Sequence, residues 1–222
     1  MGTVTLDGTE AHHLLHVLRA MPGDAIELFD GRGLVASAEL VTVRKRDAES
    51  KILSAHREDR PAREIILGTA VPKGDRFDWL IEKATELGVT KLVPLVTARS
   101  VVDPRDSKLD KLRQTVIAAC KQCGRNHLLD LSPVRSWAEF VREEIPHRTA
   151  FLAHPSPDAQ LCHSLLAPHL SSVVFAVGPE GGFTDDEAAL AVSAGAQPIS
   201  LGPLILRIET AALVLATQVM QR

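Results

Sequence analysis

The chain has 222 residues, of which 45% are hydrophobic and 24% charged, and its formal net charge is −3. This apolar fraction suffices for a buried core and excludes a disordered protein, while the near-neutral charge gives no overall signature of nucleic-acid binding. Basic residues are concentrated in residues 61–130, which carry 12 Lys and Arg against 9 Asp and Glu. Any phosphate contacts are therefore expected in that part of the chain.

The cysteines are few and odd in number, namely Cys120, Cys123 and Cys162. Such a set, without an apolar leader segment at the N-terminus, indicates a reducing compartment. No stretch of the sequence approaches the length of a membrane span. We therefore expect a soluble, cytoplasmic protein.

The first part of the chain predicts a small β-rich domain. Its first element is a short helix with Thr9 or Asp7 as the N-cap. An Asp-Gly-Arg-Gly segment further on is typical of a hairpin turn between two strands. The predicted elements are a helix over residues 10–20 and strands over residues 25–29, 33–43 and 50–56.

The pattern changes at the charged segment 56–64, which Pro61 interrupts. We place a boundary there and predict domains of residues 1–60 and 61–222. Beyond the boundary, strands alternate with helices, which is typical of an α/β domain with a mostly parallel sheet. The predicted strands cover residues 64–71, 91–96, 150–153, 172–177 and 198–201, and the helices cover residues 75–87, 107–123, 137–145, 184–194 and 209–221.

A glycine-rich segment, Val-Gly-Pro-Glu-Gly-Gly-Phe-Thr at residues 177–184, joins a buried strand to a helix. Glycines let a ligand approach the backbone closely, and open α/β sheets bind ligands beyond the carboxyl ends of their strands. The segment matches neither the dinucleotide fingerprint nor the P-loop. It is either a ligand-binding loop or a tight turn between strand and helix.

A second segment, Leu-Gly-Pro-Leu-Ile-Leu-Arg-Ile-Glu-Thr-Ala at residues 201–211, leads from a short strand into the last helix. Arg207 and Glu209 stand at the mouth of that helix. They form either a structural salt bridge, with Glu209 or Thr210 capping the helix, or a working pair that orients a substrate and moves a proton.

Two short motifs look like metal sites but lack the remaining ligands. Cys120-x-x-Cys123 lies in the last turn of a predicted helix without a second cysteine pair, so reduced structural thiols are favoured over a zinc or redox site. His12, His13 and His16 lack the glutamate of an HExxH motif, which favours a helix face that meets RNA or solvent. We expect no metal.

Taken together, these segments resemble one family. The series HHLLHVLR, FDG-x-G, IEKATELGV, QCGR, GPEGG and LGxxILRxETA occurs in order from about Ala11 to the C-terminus. It is similar to the RsmE family, the uridine N3-methyltransferases of small-subunit 16S ribosomal RNA in the SPOUT superfamily. GPEGG and LGxxILRxETA at this spacing are highly specific to that family.

The resemblance implies an N-terminal PUA-like β-barrel that binds RNA and a C-terminal α/β domain with a deep trefoil knot. It also implies a homodimer whose loops hold S-adenosylmethionine, chiefly through backbone groups. Carried over by position, the cofactor-binding residues are Leu152, His154, Gly178, Pro179, Glu180, Gly181, Gly182, Leu201, Gly202, Pro203, Ile205, Leu206, Arg207 and Thr210.

The partner implied by the resemblance is 16S ribosomal RNA in the small ribosomal subunit. Basic and polar residues in the matching segments, several of them near strand ends and helix starts, are suited to contact its phosphates. The expected RNA-binding residues are His13, Arg19, Lys73, Arg76, Lys83, Arg99 and Arg125.

The sequence departs from the family pattern in two places. The family usually begins with an Arg-x-Phe strand before the first helix, and we expect this chain to lack that strand. Its last motif commonly reads LGxRILRTETA, whereas here Leu204 replaces the first Arg and Ile208 replaces the Thr. Arg207, Glu209 and Thr210 are retained, so we expect the cofactor to be kept and the RNA to be oriented less firmly.

The chemistry expected of such an enzyme follows from the acidic N3–H of uracil. Arg207 would stabilise the developing negative charge on the uracil oxygen, and Glu209 would orient Arg207 or accept the proton through water. Two alternatives stay open. One is a SPOUT enzyme that methylates a ribose 2′-oxygen or another base, and the other is an RNA-binding ribosome-assembly factor with weakened catalysis.

Overall fold

The computed structural model describes residues 2–102, 109–155, 159–161 and 171–220. The chain divides into two compact units, Met1–Arg60 and Pro61–Arg222. Of the helices that the structure describes, none is long and apolar enough to cross a membrane.

The first unit is an antiparallel sheet with a short helical segment. Its strands lie in the order β1-β4-β3-β2. Leu14 from the helical segment packs with Leu40 and Ala48 from the sheet to form a small apolar core. The elements are β1 (Thr3–Asp7), α1 (Gly8–His12), a π-helical turn (His13–Val17), β2 (Ala25–Phe29), β3 (Leu34–Val43) and β4 (Asp47–Arg57).

Two expectations for this unit are wrong. A strand does precede the first helix, since Thr3–Asp7 pairs with β4 over five residues from Thr3↔Lys51 to Asp7↔Asp47. The expected single helix over residues 10–20 is instead a short α-helix followed by a π-helical turn that ends at Val17. The helix stops early because Arg19 adopts a left-handed conformation with φ of 54°, which no α-helix continues through.

The second unit is an α/β domain. Buried runs of β-branched and other apolar residues form its strands, and amphipathic segments form its helices. The strands are β5 (Glu64–Ala70), β6 (Lys91–Val96), β7 (Asp130–Leu131), β8 (Arg135–Ser136), β9 (Thr149–Ala153), β10 (Gln160–Leu161), β11 (Ser172–Val177) and β12 (Gln197–Ser200). The helices are α2 (Arg76–Glu86), α3 (Leu109–Cys123), α4 (Trp137–Glu144), α5 (Asp185–Ser193) and α6 (Ile208–Met220).

Every strand pairing described in this sheet is parallel. The strand order is β10-β12-β9-β11-β5-β6-β7, and β8 pairs with the outer part of β6. The predicted α/β class with a parallel sheet is confirmed, whereas the trefoil knot implied by the resemblance stays a prediction. Because all strands run the same way, their carboxyl ends lie along one edge of the sheet.

Two helices begin with a complete capping box. Ser136 accepts from the backbone N–H of Glu139 at the start of α4, and Thr184 accepts from that of Glu187 at the start of α5. In both cases the glutamate carboxylate accepts a hydrogen bond from the backbone N–H of the cap residue. The predicted N-cap Thr184 is therefore confirmed, and it fixes where the glycine-rich segment ends and α5 begins.

Candidate active site

Three loops meet at the carboxyl edge of the parallel sheet. They follow β9, β11 and β12, which are direct neighbours, since β9 pairs with both of the other strands. The backbone N–H of His154, just after β9, donates to the carbonyl of Ile199 in β12 at 3.3 Å. The structure thus brings together the segments 152–154, 178–182 and 201–207, which lie far apart in the sequence.

The glycine-rich loop after β11 is a tight turn with one constrained glycine at its start. The N–H of Gly182 donates to the carbonyl of Pro179 at 2.8 Å, and Gly182 has a φ of +68°. A Cβ at Gly178 would lie 3.0 Å from the ring of Phe183, which is buried. Pro179 is buried, while Glu180 and Gly181 form the exposed tip. The loop is therefore a tight turn whose exposed tip leaves its backbone accessible to a ligand.

The loop after β12 presents apolar side chains outward. Gly202, with a φ of +114°, makes its first bend, and its N–H donates to Ser200 Oγ at 3.2 Å. Leu204 and Ile205 are then 77% and 99% exposed. Pro203 is also exposed, and Leu201, Gly202 and Leu206 are half-buried. Apolar side chains on such a loop are suited to cover the flat face of a nucleoside base.

The loop after β9 contributes in a different way. Leu152 is fully buried in the core, so only its backbone is available to a ligand. The Nδ1 atom of His154 is buried and has no hydrogen-bond partner among the described residues. A buried polar atom without a partner is costly, and a ligand that supplies one relieves the cost.

Arg207 and Glu209 do not pair in the described part of the chain. Arg207 is exposed, and Glu209, in the first turn of α6, is only 6% exposed. The Oε1 atom of Glu209 lies 3.6 Å from Nη1 of Arg76, while its buried Oε2 atom has no partner among the described residues. The structural salt bridge considered between Arg207 and Glu209 is therefore wrong, because residues two apart at a helix start do not face each other.

The basic residues expected to bind RNA fall into two groups. Lys73 is exposed, and Arg76 Nε donates to the carbonyl of Lys73 at 3.1 Å, while Nη1 of Arg76 lies 3.6 Å from Oε1 of Glu209 in the first turn of α6. His13 and Arg19 are exposed on the first unit. The other three, Lys83, Arg99 and Arg125, hydrogen-bond to neighbouring protein groups.

Those three side chains make specific internal contacts. Lys83 Nζ lies 2.7 Å from carboxylate oxygens of Glu82 and Glu86, and these hydrogen bonds raise the pKa of Lys83. Arg125 donates to the carbonyls of Thr85 and Val89 at the end of α2, and burial lowers the pKa of its guanidinium. Charged side chains used in this way have less freedom to follow an RNA backbone.

Glu187 also shapes this edge, through a contact that the sequence did not predict. Glu187 caps α5 and also accepts from the N–H of Ala98 in the loop after β6, at 2.7 Å. The Thr-x-x-Glu pattern is typical of a helix cap and can be recognised in the sequence. The second contact of Glu187, however, joins residues 89 positions apart. No group of His, Cys, Asp or Glu that could hold a metal ion occurs among the described residues.

The edge as a whole fits an S-adenosylmethionine molecule. Glycine turns leave room for backbone contacts, Leu204 and Ile205 offer apolar cover, and the unpartnered Nδ1 of His154 offers a polar contact. Thr210 is exposed in the first turn of α6, next to Arg207. These are the groups that a nucleoside with an amino-acid tail requires.

Comparisons with known proteins agree with this description. Residues 58–220 match the family described as an RNA methyltransferase domain, and residues 6–53 match the RNA methyltransferase PUA domain. The fold and the site thus define an RNA methyltransferase with an N-terminal PUA domain. The chain belongs to the ribosomal RNA small subunit methyltransferase E family, as its similarity to the following relatives shows.

Curated relatives of that name occur in several bacteria. The one from Synechocystis sp. is 34% identical, over 98% of this chain and 72% of the relative. The one from Bacillus subtilis is 32% identical, over 95% of this chain and 87% of the relative.

Solved structures are similar over nearly the whole chain. The methyltransferase E from Neisseria gonorrhoeae bound to S-adenosyl methionine is 33% identical with a TM-score of 0.90, covering 99% of this chain and 92% of that one. A putative methyltransferase from Legionella pneumophila in complex with S-adenosylmethionine is also 33% identical, with a TM-score of 0.88, covering 99% and 91%.

Proposed function

We propose that this chain transfers a methyl group from S-adenosylmethionine to N3 of a specific uridine in 16S ribosomal RNA of the small ribosomal subunit. The observation that carries the proposal is the meeting of the three loops at one sheet edge, in a chain similar along its length to a methyltransferase E bound to S-adenosyl methionine.

The cofactor is held by the three loops. When bound, S-adenosylmethionine supplies an electrophilic methyl group on a sulfonium leaving group. Backbone groups of residues 178–182 and 201–206 would hold it, and it would offer a hydrogen-bond partner to the buried Nδ1 of His154. Because the methyl donor carries the reactivity, the protein chiefly has to align it with the uracil.

Arg207 is the residue placed to act on the uracil. It is exposed at the mouth of α6, directly after the apolar loop. Its guanidinium stabilises the negative charge that develops on the uracil oxygen as the N3 proton leaves to water. The base enters the site unstacked from its neighbours.

Glu209 orients an arginine rather than taking the proton. Its carboxylate is buried, which separates it from the water that would receive a proton, and it lies 3.6 Å from Arg76. Glu209 thereby keeps a cation at the edge beside Arg207. Lys73 and Arg76 then contact RNA phosphates, and His13 and Arg19 do so from the first unit.

We also propose that the protein works as a homodimer, as the family resemblance implies, and that it is cytoplasmic, as its few cysteines indicate. Light scattering on the purified protein tests the dimer. A mass of one chain, 24.0 kDa, would contradict it.

Methylation of subunits tests the function directly. The purified protein is incubated with labelled S-adenosylmethionine and small ribosomal subunits from a strain lacking the modification, and the digested RNA is analysed by mass spectrometry. A 3-methyluridine at one position supports the proposal, and subunits that already carry the methyl group serve as the control.

Two other outcomes would contradict it. A methyl group on a ribose 2′-oxygen or another base would change the product assignment. Cofactor binding without transfer to any RNA would favour the assembly factor.

A further inference from the structure

Arg99, expected from the sequence to bind RNA, contacts the glycine-rich cofactor loop instead. It lies in the loop that follows β6. Its Nη1 atom donates to the carbonyl of Gly181 at 2.6 Å and lies 3.5 Å from the carbonyl of Phe183. The guanidinium is thus directed at the two backbone carbonyls that flank Gly182, and hydrogen bonds from a charged donor are stronger than neutral ones.

The aliphatic part of Arg99 also packs on this loop. A Cβ at Gly181 would lie 3.2 Å from Cδ of Arg99 and 3.5 Å from its Cβ. The glycine therefore lets the arginine stem lie directly against the loop backbone. Gly181 has no positive φ, so close approach is the reason for a glycine here, rather than backbone conformation.

A second contact fixes the position of Arg99. The neighbouring N–H of Ala98 donates to Oε1 of Glu187, while Oε2 of the same carboxylate accepts from the N–H of Thr184 at 2.9 Å. The loop after β6 is itself closed, because Ser100 Oγ accepts from the N–H of Thr97 at 2.9 Å. The tip and the C-terminal end of the glycine-rich loop are thereby held by one short turn.

We propose that Arg99 is a positioning residue that holds residues 178–182 in the shape that receives S-adenosylmethionine. This assignment rests on the proposed function, since it takes those residues as the cofactor loop. Arg99 then governs affinity for the cofactor, while Lys73 and Arg76 serve the RNA.

The test compares two affinities in full-length variants. R99M keeps an apolar stem and removes the donors, R99K keeps the charge, and R113M removes an exposed arginine from α3 as the control. The dissociation constant for S-adenosylmethionine is measured by calorimetry, and that for a small-subunit RNA fragment is measured at several salt concentrations. Circular dichroism verifies that each variant is folded.

We expect R99M to weaken S-adenosylmethionine binding about tenfold, in keeping with the loss of a hydrogen bond from a charged donor. R99K recovers part of the affinity, and R113M changes neither constant. The salt dependence of RNA binding stays as in the wild type, and steady-state kinetics show a raised KM for the cofactor with an unchanged KM for RNA.

A double-mutant cycle with G181A probes the contact itself. If Arg99 acts through the loop, the effects of R99M and G181A on cofactor affinity are not additive. An R99M variant that binds the cofactor normally would overturn the proposal, and a loss of about one from the salt slope would assign Arg99 to RNA instead. Wild-type protein that binds no S-adenosylmethionine would overturn the proposed function, a result distinct from either.

Discussion

The ring of Phe140 in α4 lies directly over Gly68 at the centre of β5. A Cβ at residue 68 would lie 2.5 and 2.9 Å from two ring carbons of Phe140. Phe140 itself is fully buried. The glycine is therefore required by the packing of the helix on the sheet.

Gly68→Ala should destabilise the protein strongly. Overpacking a filled core costs about 1–3 kcal/mol and sometimes more, and the Phe140 ring is fully buried in the core of the second unit. We expect a loss of about 3 kcal/mol in the free energy of unfolding, measured by urea denaturation. The double variant G68A/F140L should regain part of that loss, whereas strictly additive effects would show that the two residues do not interact.

Glu144 gathers three cations in the interior of the second unit. It is 3% exposed and lies 2.6 Å from Lys91 Nζ, 3.3 Å from Arg135 Nη1 and 3.4 Å from Arg148 Nη1. Removing the acid takes away the carboxylate beside Lys91. Arg135 keeps its contact with Glu143, and Arg148 still lies 3.6 Å from Glu64.

For Glu144→Ala we expect a loss of about 2–3 kcal/mol in the free energy of unfolding, within the range for hydrogen bonds to charged groups, because two of the three cations keep another acid. Asp110→Ala is the matched control, because its pair with Arg113 is solvent-exposed and such pairs contribute about 0–1 kcal/mol. Equal losses in the two variants would contradict a role for the buried cluster.

The cysteines of α3 should differ in reactivity. Cys120 is buried and burial raises the pKa of its thiol, while Cys123 is exposed. Since the thiolate is the reactive form, a raised pKa slows modification at pH 8. In a C162A background, we expect a thiol reagent to modify Cys123 rapidly and Cys120 only after denaturant is added. Cys162 lies outside the described residues and is replaced for that reason.

Arg207→Ala should separate chemistry from cofactor binding. Removing a preorganised group that stabilises developing charge costs about 10²–10³ in kcat. We expect that loss in single-turnover assays at saturating cofactor, with S-adenosylmethionine still bound in calorimetry. Glu209 acts only through Arg76. Glu209→Gln should therefore lower kcat less than Arg207→Ala does and mainly raise the KM for RNA. Normal turnover by the Arg207 variant would contradict its assigned role.

Leu204→Arg should strengthen RNA binding. Leu204 is 77% exposed at the site and stands where the family commonly has an arginine. A new phosphate contact would tighten RNA binding and steepen the salt dependence by about one. Filter binding over a salt series measures both quantities. Leu204→Gln, which adds polarity without charge, is the control and should leave the salt slope unchanged.

Much of the fold could be predicted from the sequence, because the periodicity of apolar residues is a local property. The predicted strand over residues 25–29 is confirmed as Ala25–Phe29, and the predicted helix over 184–194 is confirmed as Asp185–Ser193 behind its Thr184 cap. The strand Thr3–Asp7 was missed because Val4 and Leu6 are its only apolar residues and it lacks the Arg-x-Phe pattern expected of the first strand. Its pairing with β4 supplies what its own pattern lacks.

The sequence predicted which loops form the site, but it predicted fewer of the contacts between their side chains. The glycine-rich motifs indicated which segments follow strands, and parallel pairing then brings those segments to one edge. Glu209 lies next to Arg76, which is 133 positions away in the sequence. Arg99 contacts Gly181, which is 82 positions away. Such contacts are set by tertiary packing, which residue type and spacing do not encode.

In the large sheet, the inner strand β5 pairs with β11, a strand that comes much later in the sequence. The pairing runs from Glu64↔Ser172 to Thr69↔Val177, and Ser172 Oγ donates to Glu64 across 108 residues of chain. During synthesis the small N-terminal sheet, whose strands all lie between Thr3 and Arg57, can form while this strand edge is still unpaired. Nascent chains that end before β11 should therefore stay prone to edge-to-edge association, and those that end before Arg207 should also fail to capture the cofactor because they lack the third loop.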